Sequence, residues 1–377
     1  MLTVLIIAMV FTNMIFMPSI VMGFIKNAEH QIITYSTGNI LVEPVKDEEY
    51  ITDVDSLLAK VNRVPGVIRA SAQYSMGATL KNKAYKIGRP VIAIQPSNER
   101  LVTDVSKNMK EGDYLGDGEL GQVIIGIQTA GHKDPAEDMG PTLGAVGVGD
   151  SVTVEYTNGV VRNYRIKGII ETFSYSADQD VYVTQEEMES VLGHPLDVAT
   201  HVLVKTEPGV PEAVVKTQIL RFGVREQVKT WQDLLEDAMG RAVQNFSMLN
   251  SITLIVSLVI AIVVLFIMIM IKTLNSRRQI GVLKAIGIEQ GIIINNYLLQ
   301  VLLLTILGIV LGVVVVEGMV AYLTVFPFKF PDGDITPYVT FSDLASNTVL
   351  ILVAAMIAGY IPAWQVARMD ILTAMRA

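Results

Sequence analysis

Cysteine is absent from all 377 residues, which removes disulfides, thiolate metal sites and cysteine nucleophiles together and leaves the redox compartment open. Histidine is scarce. The four present, His30, His132, His194 and His201, all lie between residues 25 and 245, so an imidazole-based centre would have to sit there. Neither an HExxH pair nor a GxxxxGK[ST] loop occurs, which disfavours a zinc protease of that type and a self-contained P-loop ATPase. A basic surplus is missing too: 29 Lys plus Arg stand against 37 Asp plus Glu, a formal charge of −8. Phosphate backbones need a concentrated cationic surface, so nucleic acid is not an expected partner.

Charge itself is missing from long stretches. Residues 25–245 hold 22 basic and 31 acidic residues, and the other 156 residues hold only 7 and 6. Residues 2–24 contain no charge, and at about 1.5 Å rise per residue such a run crosses a hydrocarbon core of about 30 Å. Three more uncharged windows, 242–271, 290–316 and 344–367, are too long for ordinary buried helices. The first run is expected to be retained, since it lacks a basic n-region and exceeds a typical signal-peptide apolar run. The fold class expected is an α-helical membrane protein with four transmembrane helices and a large extracytoplasmic α+β domain between helices 1 and 2.

Orientation follows from the short loops. Lys272, Arg277, Arg278 and Lys284 crowd between the second and third spans, opposed only by Glu289, while the next loop has Asp332, Asp334 and Asp343 against Lys329. Positive residues stay inside, so the first of these loops, the N-terminus and the tail with Arg368 and Arg376 are expected in the cytoplasm. Residues 25–245 are then extracytoplasmic, on a multi-pass protein of the cell (inner) membrane.

Within 25–245 the pattern predicts a strand over 39–43, a helix over 53–64 and a strand over 67–75. The helix places Val54, Leu57, Leu58, Val61 and Val64 on one face of a 3.6-residue period. A similar unit follows near the end, with a strand over 201–205, a helix carrying Val214, Val215, Ile219 and Phe222, and a strand from Val224. Residues 57–71 and 214–228 look like two copies. Between them, 122–127, 151–156, 161–170 and 181–183 read as strands punctuated by glycine turns, giving two α+β units with a β-rich insertion. From Trp231 a helical period runs through Leu234, Leu235, Ala238, Ala242, Phe246 and Leu249 into the second span. A stalk helix is expected there, with Gly240 its weak point. The transmembrane domain then takes in residues 246–377.

Residues 275–287, NSRRQIGVLKAIG, carry the most information. Ser276 followed by Gln279 has capping-box spacing, and Gly287 suits a left-handed stop, so a short cytoplasmic helix over 276–287 is predicted. Ile280, Leu283 and Ile286 are expected on one face, Gly281 and Ala285 as a smooth patch, and Arg277, Arg278 and Lys284 as a basic rim. Basic residues alone would serve as a topological anchor. A capped helix with a small-residue face accounts for more if it docks on a cytoplasmic protein.

RRQIGVLKAIG resembles the signature of the MacB/FtsX-type ABC transporter permeases, which include LolC and LolE. The tail, PAWQVARMD at 362–370, is similar to the family's closing motif, and 91–102 with 112–115 resemble its outside domain more loosely. The resemblance assigns ATPase coupling to Arg277, Arg278, Gln279, Ile280, Gly281, Leu283, Lys284, Ala285 and Gly287. It makes Pro362, Ala363, Trp364, Ala367, Arg368 and Asp370 the tail motif, with the proline leaving the last helix. It also implies a dimer with a second permease copy or paralogue, and a separate ABC ATPase subunit that binds ATP and Mg, so that this chain is not itself an enzyme and binds no cofactor. Export or extraction of an amphiphile, peptide or lipoprotein follows, with an extracytoplasmic adaptor or substrate protein as a further partner. The alternative within the family is a signalling permease that regulates a cell-wall enzyme or sensor. Three departures stand out: Gln279 replaces the family's glutamate, Ile371 replaces a usual proline, and no basic amphipathic segment precedes the first helix.

Other features have plainer readings. Gly308 and Gly312 form a GxxxG that allows close helix approach, within one subunit or across a dimer. Pro18 and Pro362 are candidate kinks, and Asn13 is expected to face another helix because lipid cannot satisfy its amide. Glu317 falls near the outer surface, which argues for a hydrated carboxylate over a proton relay. Tyr322, Phe326, Phe328 and Phe330 fit an interfacial aromatic belt, or an apolar lip receiving an amphiphile from the outer leaflet; membrane lipids are partners either way. His132, Asp134, Glu137 and Asp138 lack metal-ligand spacing and read as a solvated loop, so no metal site is expected.

Overall fold

The computed structural model describes residues 1–83, 85–330 and 333–368, without the side chains at 242, 273, 277, 278, 281, 284, 329, 366 and 367. Among the described residues, four helices are long and apolar enough to cross a membrane: Leu2–Ser36, Val243–Lys272, Gln290–Val325 and Phe341–Gln365. The first begins as an α-helix over Leu2–Gln31 and ends in a π-helical turn, Ile32–Ser36. The second span is the C-terminal part of one helix, Trp231–Asn275, that passes Gly240 without a break. By contact the chain divides into a membrane unit (Met1–Lys26, Arg241–Phe328 and Ile335–Ala377) and a second unit (Asn27–Gly240 and Lys329–Asp334).

In the membrane unit, Ile7, Val10, Phe11, Met14 and Ile15 repeat at helical spacing and are buried against Ala261, Leu265, Ile269, Val301, Ile309, Ile351 and Ala355. Both glycines of the GxxxG face this first helix. A Cβ on Gly308 would lie 2.6 Å from Ile7 Cγ2, and one on Gly312 2.8 Å from Phe11 Cδ1. The close approach is therefore made inside one chain. Asn13 departs from expectation, since it lies on the exposed side of the first helix, while the apolar stripe takes the covered side. The last helix continues through Pro362 to Ala367, so the proline does not end it.

The second unit is built on strands β1 (Ile40–Glu43), β2 (Ile51–Thr52), β3 (Val67–Asn82), β4 (Tyr85–Ile94), β5 (Met109–Gly112), β6 (Gln122–Gly126), β7 (Ser151–Tyr156), β8 (Val161–Ile170), β9 (Val181–Thr184), β10 (Val198–Ala199), β11 (His201–Thr206) and β12 (Gln227–Thr230). The two sequence copies do not form two units. Their strands interleave in the order β12-β1-β11-β3, antiparallel throughout, which is the split βαβ arrangement. Two strands and a helix leave most backbone groups unpaired; sharing one sheet pairs them and buries Val54, Leu57 and Val61 of one helix with Val215 and Ile219 of the other. β3 is far longer than its sequence pattern and acts as a spine. Its first half pairs β11, its residues 78–81 pair β7, and on its other edge residues 73–82 pair β4. The insertion packs its own core of Leu80, Val91, Val123, Ile125, Val152, Tyr164 and Val181.

Candidate functional site

The loop helix spans Arg277–Ala285. Ser276 stands at its N-terminus, where the reciprocal bond from Gln279 that the capping-box spacing suggests cannot form. Its carbonyl accepts from Ile280 N–H at 3.0 Å, but its own N–H donates to Lys272 O at 3.1 Å. The N–H that Gln279 would reach is thus taken by the preceding helix, which runs up to the junction. At the other end Gly287 has φ +92, and Ile288 N–H donates to Leu283 O at 3.1 Å, a Schellman stop.

The expected apolar face divides. Ile280 is 4% exposed and packs with Ile293, Tyr297 and Ala363, whereas Leu283 and Ile286 are exposed, Ile286 at 70%. Successive helical residues are 100° apart, so Ile280 and Ile286 diverge by about 120° over six positions. Val282, also exposed, joins Gln279, Leu283 and Ile286 on one uncovered side. Ala285 is exposed as well, and the side chains of Arg277, Arg278, Gly281 and Lys284 lie outside those described. In the tail, Pro362 and Ala363 are buried, and the Arg368 guanidinium stands 4.1 Å from the centre of the half-exposed Trp364 ring, a cation–π contact. Ala367 ends the helix; Asp370 lies outside the described residues.

The four aromatic residues of the expected lip part company. Tyr322 and Phe326 are exposed and pair their rings at 5.2 Å. Phe328 and Phe330 share a face of the short strand Phe328–Phe330, but Phe330 belongs with the second unit. There it lines a cleft of ≈ 430 Å³ together with Ile127, Met139, Phe173, Tyr175 and several carboxylates. Glu317 is exposed.

The loop 131–142 is tied to itself. His132 donates its backbone N–H to Asp138 Oδ1 at 2.8 Å, and its Nδ1 lies 2.9 Å from the same oxygen. Asp134 Oδ1 accepts from Ala136 N–H at 3.0 Å. Among the described residues no group of three or more metal-ligating side chains converges.

Sequence reasoning missed the loop 171–180. Phe173 has φ +58, a conformation that costs an aromatic residue on the order of 1–3 kcal/mol. It is held there by Asp178 Oδ1, which accepts from Thr172 N–H at 2.7 Å and Thr172 Oγ1 at 2.9 Å. Burial lifts the Asp178 carboxyl to about 6, and loss of hydration lifts Asp180, which accepts from Tyr182 O–H at 3.0 Å, to about 7. Glu99 is buried too; desolvation raises its pKa, although Ser71 Oγ at 2.7 Å and Gln73 Nε2 at 2.9 Å both donate to it. No period or motif marks these positions; the only local signal is a large aromatic amid serines, threonines and acids.

The family model described as MacB-like periplasmic core domain matches residues 1–222, and the one described as FtsX-like permease C-terminal matches 251–371. Among curated proteins, the macrolide export ATP-binding/permease protein MacB of Hahella chejuensis is 24% identical over 179 residues, 46% of this chain and 27% of that protein. A Staphylococcus haemolyticus protein provisionally named hemin transport system permease protein HrtB is 26% identical over 229 residues, 59% of this chain and 58% of its own length. The chain thus spans about a quarter of the MacB relative. A crystal structure of the periplasmic region of MacB from Actinobacillus actinomycetemcomitans covers 58% of this chain and 98% of its own at 11% identity, with a TM-score of 0.40.

Proposed function

The chain belongs to the MacB/FtsX-type family of ABC transporter permeases, and from that premise we propose that it couples ATP hydrolysis in a separate ABC ATPase subunit to export or extraction of an amphiphile, peptide or lipoprotein. It works as a dimer with a second permease copy or a paralogue, its N- and C-termini in the cytoplasm and residues 25–245 outside. ATP and Mg belong to the partner. Macrolide and hemin, the cargo words in the relatives' names, have amphiphilic character in common, which supports the cargo class.

The observation that carries this reading is the loop helix. Ile280 fixes it to the membrane unit while Val282, Leu283 and Ile286 stay uncovered. Burying such side chains is worth about 1.5–3 kcal/mol each, and a cleft on the ATPase would recover it. The unbroken helix Trp231–Asn275 joins the loop helix in sequence to the outside domain, a path for mechanical output.

Co-reconstitution with the cognate ATPase tests this. Leu283→Asp with Ile286→Asp alters two exposed residues, so membrane assembly should persist while amphiphile-stimulated ATP turnover drops at least about tenfold, the loss of roughly 1.4 kcal/mol or more of coupling. Stimulated turnover at the wild-type rate in this variant would sink the coupling role.

A further inference from the structure

Three parts of the chain far apart in sequence enclose the ≈ 430 Å³ cleft: residues 127–139, residues 171–178, and Phe330 with Gly333 and Asp334. Its size is that of a drug-sized ligand site. The rim is apolar yet uncovered, with Phe173 70%, Met139 50% and Phe330 49% exposed. The Phe173 ring is presented by a strained, over-determined loop. Beyond the Asp178 bonds, Ser174 N–H donates to Thr172 Oγ1 at 3.1 Å, and Phe173 O accepts from Gln31 Nε2 at 3.4 Å. Gly333, at φ +92, lies against the same carbonyl, where a Cβ would come within 3.1 Å of Phe173 O. Strain of this kind persists where the surroundings enforce it, and it concentrates at binding sites.

The charge in the cleft has one sign. Its described lining includes Glu137, Glu171, Asp178 and Asp334, one histidine, and no lysine or arginine. Lys110 offsets Glu171 at 2.7 Å, His132 is engaged by Asp138 at 2.9 Å and stands 3.8 Å from Glu171, and Asp178 is bonded to Thr172. Glu137 and Asp334 are exposed. A cation is favoured over an aromatic face and beside a carboxylate; an anionic amphiphile would meet like charge, and a purely apolar one would leave the acids unused.

We propose that this cleft, where Phe173 and Phe330 meet Glu137 and Asp334, binds an amphiphile bearing a protonated or quaternary cation. The proposal deepens the export reading above and rests on it for the cargo's amphiphilic character. The cation's apolar body lies on the two rings, and the acids set the sign of the charge.

The test uses the full chain in nanodiscs, with empty nanodiscs subtracted, titrated with tetraphenylphosphonium and with tetraphenylborate, an anion of similar size and shape. The cation should bind and the borate should bind more weakly or not at all. Phe173→Gly removes the ring while relieving its backbone, and Glu137→Gln with Asp334→Asn removes two exposed charges. Each should weaken the phosphonium about five- to tenfold with the melting temperature held or raised. Absence of saturable phosphonium binding, borate binding as tight as the phosphonium, or wild-type affinity in both variants would overturn the assignment. Binding is read without ATP, so the two readings fail separately. A cleft that binds as expected in a complex whose turnover no amphiphile stimulates refutes export alone, and stimulated turnover without cleft binding refutes the cleft alone.

Discussion

Single residues decide the closest packing in this protein. Gly308 and Gly312 admit Ile7 and Phe11 at distances no Cβ tolerates, whereas Gly318 in the same helix has nothing within 4 Å. Gly308→Leu is expected to destabilise the membrane unit by about 1–3 kcal/mol through overpacking, and Gly318→Leu to change it by under about 0.5 kcal/mol. Thermal melts in one detergent compare them; equal effects would mean that the glycines do not seat the first helix. The sequence shows this motif but names no partner for it, because a GxxxG is the same string whichever helix approaches. Asp180 makes a second prediction. Its carboxyl is lifted from the ordinary 3.8 to about 7, so the folded chain binds more protons than the unfolded one between those values. Stability from this group is fully present below about 3.8 and is lost as pH rises through about 7. Asp180→Asn, still able to accept from Tyr182, should therefore raise the melting temperature at pH 8 and leave it unchanged near pH 3.5. A larger gain at the acid end would contradict the sign.

At the scale of elements, the loop helix was legible at both ends and mistaken in its faces. Ser276 and Gly287 bound it through local backbone chemistry, which spacing alone can reveal. Which side is covered depends on Ile293, Tyr297 and Ala363, residues that no periodicity within the helix can see. Ile280→Ala should cost about 2–5 kcal/mol of local packing, seen as faster proteolysis between residues 286 and 290 with the melt of the outside domain unchanged. Protection equal to wild type would show that Ile280 does not hold the helix. The interleaved βαβ copies give the same lesson. Each strand and helix of the pair was readable from its own apolar spacing, but β11 lies between β1 and β3 because pairing across copies satisfies more backbone than pairing within one.

For the whole molecule, the topology proposed from hydropathy and the basic loop residues has residues 25–245 outside and the loop helix inside. The absence of native cysteine makes the check direct. Ser97→Cys, exposed at the start of the helix Pro96–Val102, should react with a membrane-impermeant maleimide in intact cells, whereas Ser276→Cys should react only after permeabilisation. Equal labelling of both before permeabilisation would reverse or abolish the proposed topology.

Local patterns along the chain suffice for the four apolar spans, the helix leading from Trp231 into the second of them, the two βαβ copies and the ends of the loop helix. Hydropathy, period and capping act over a few turns of chain, and a single sequence records them. Tertiary structure alone decided that the copies share one sheet, that Gly308 and Gly312 receive the first helix, and that Phe330 stands with Phe173 and four carboxylates while Tyr322 and Phe326 pair elsewhere. Those outcomes depend on contacts between residues up to some three hundred positions apart in sequence, and their energies are set by the partner, about which a local pattern carries no information.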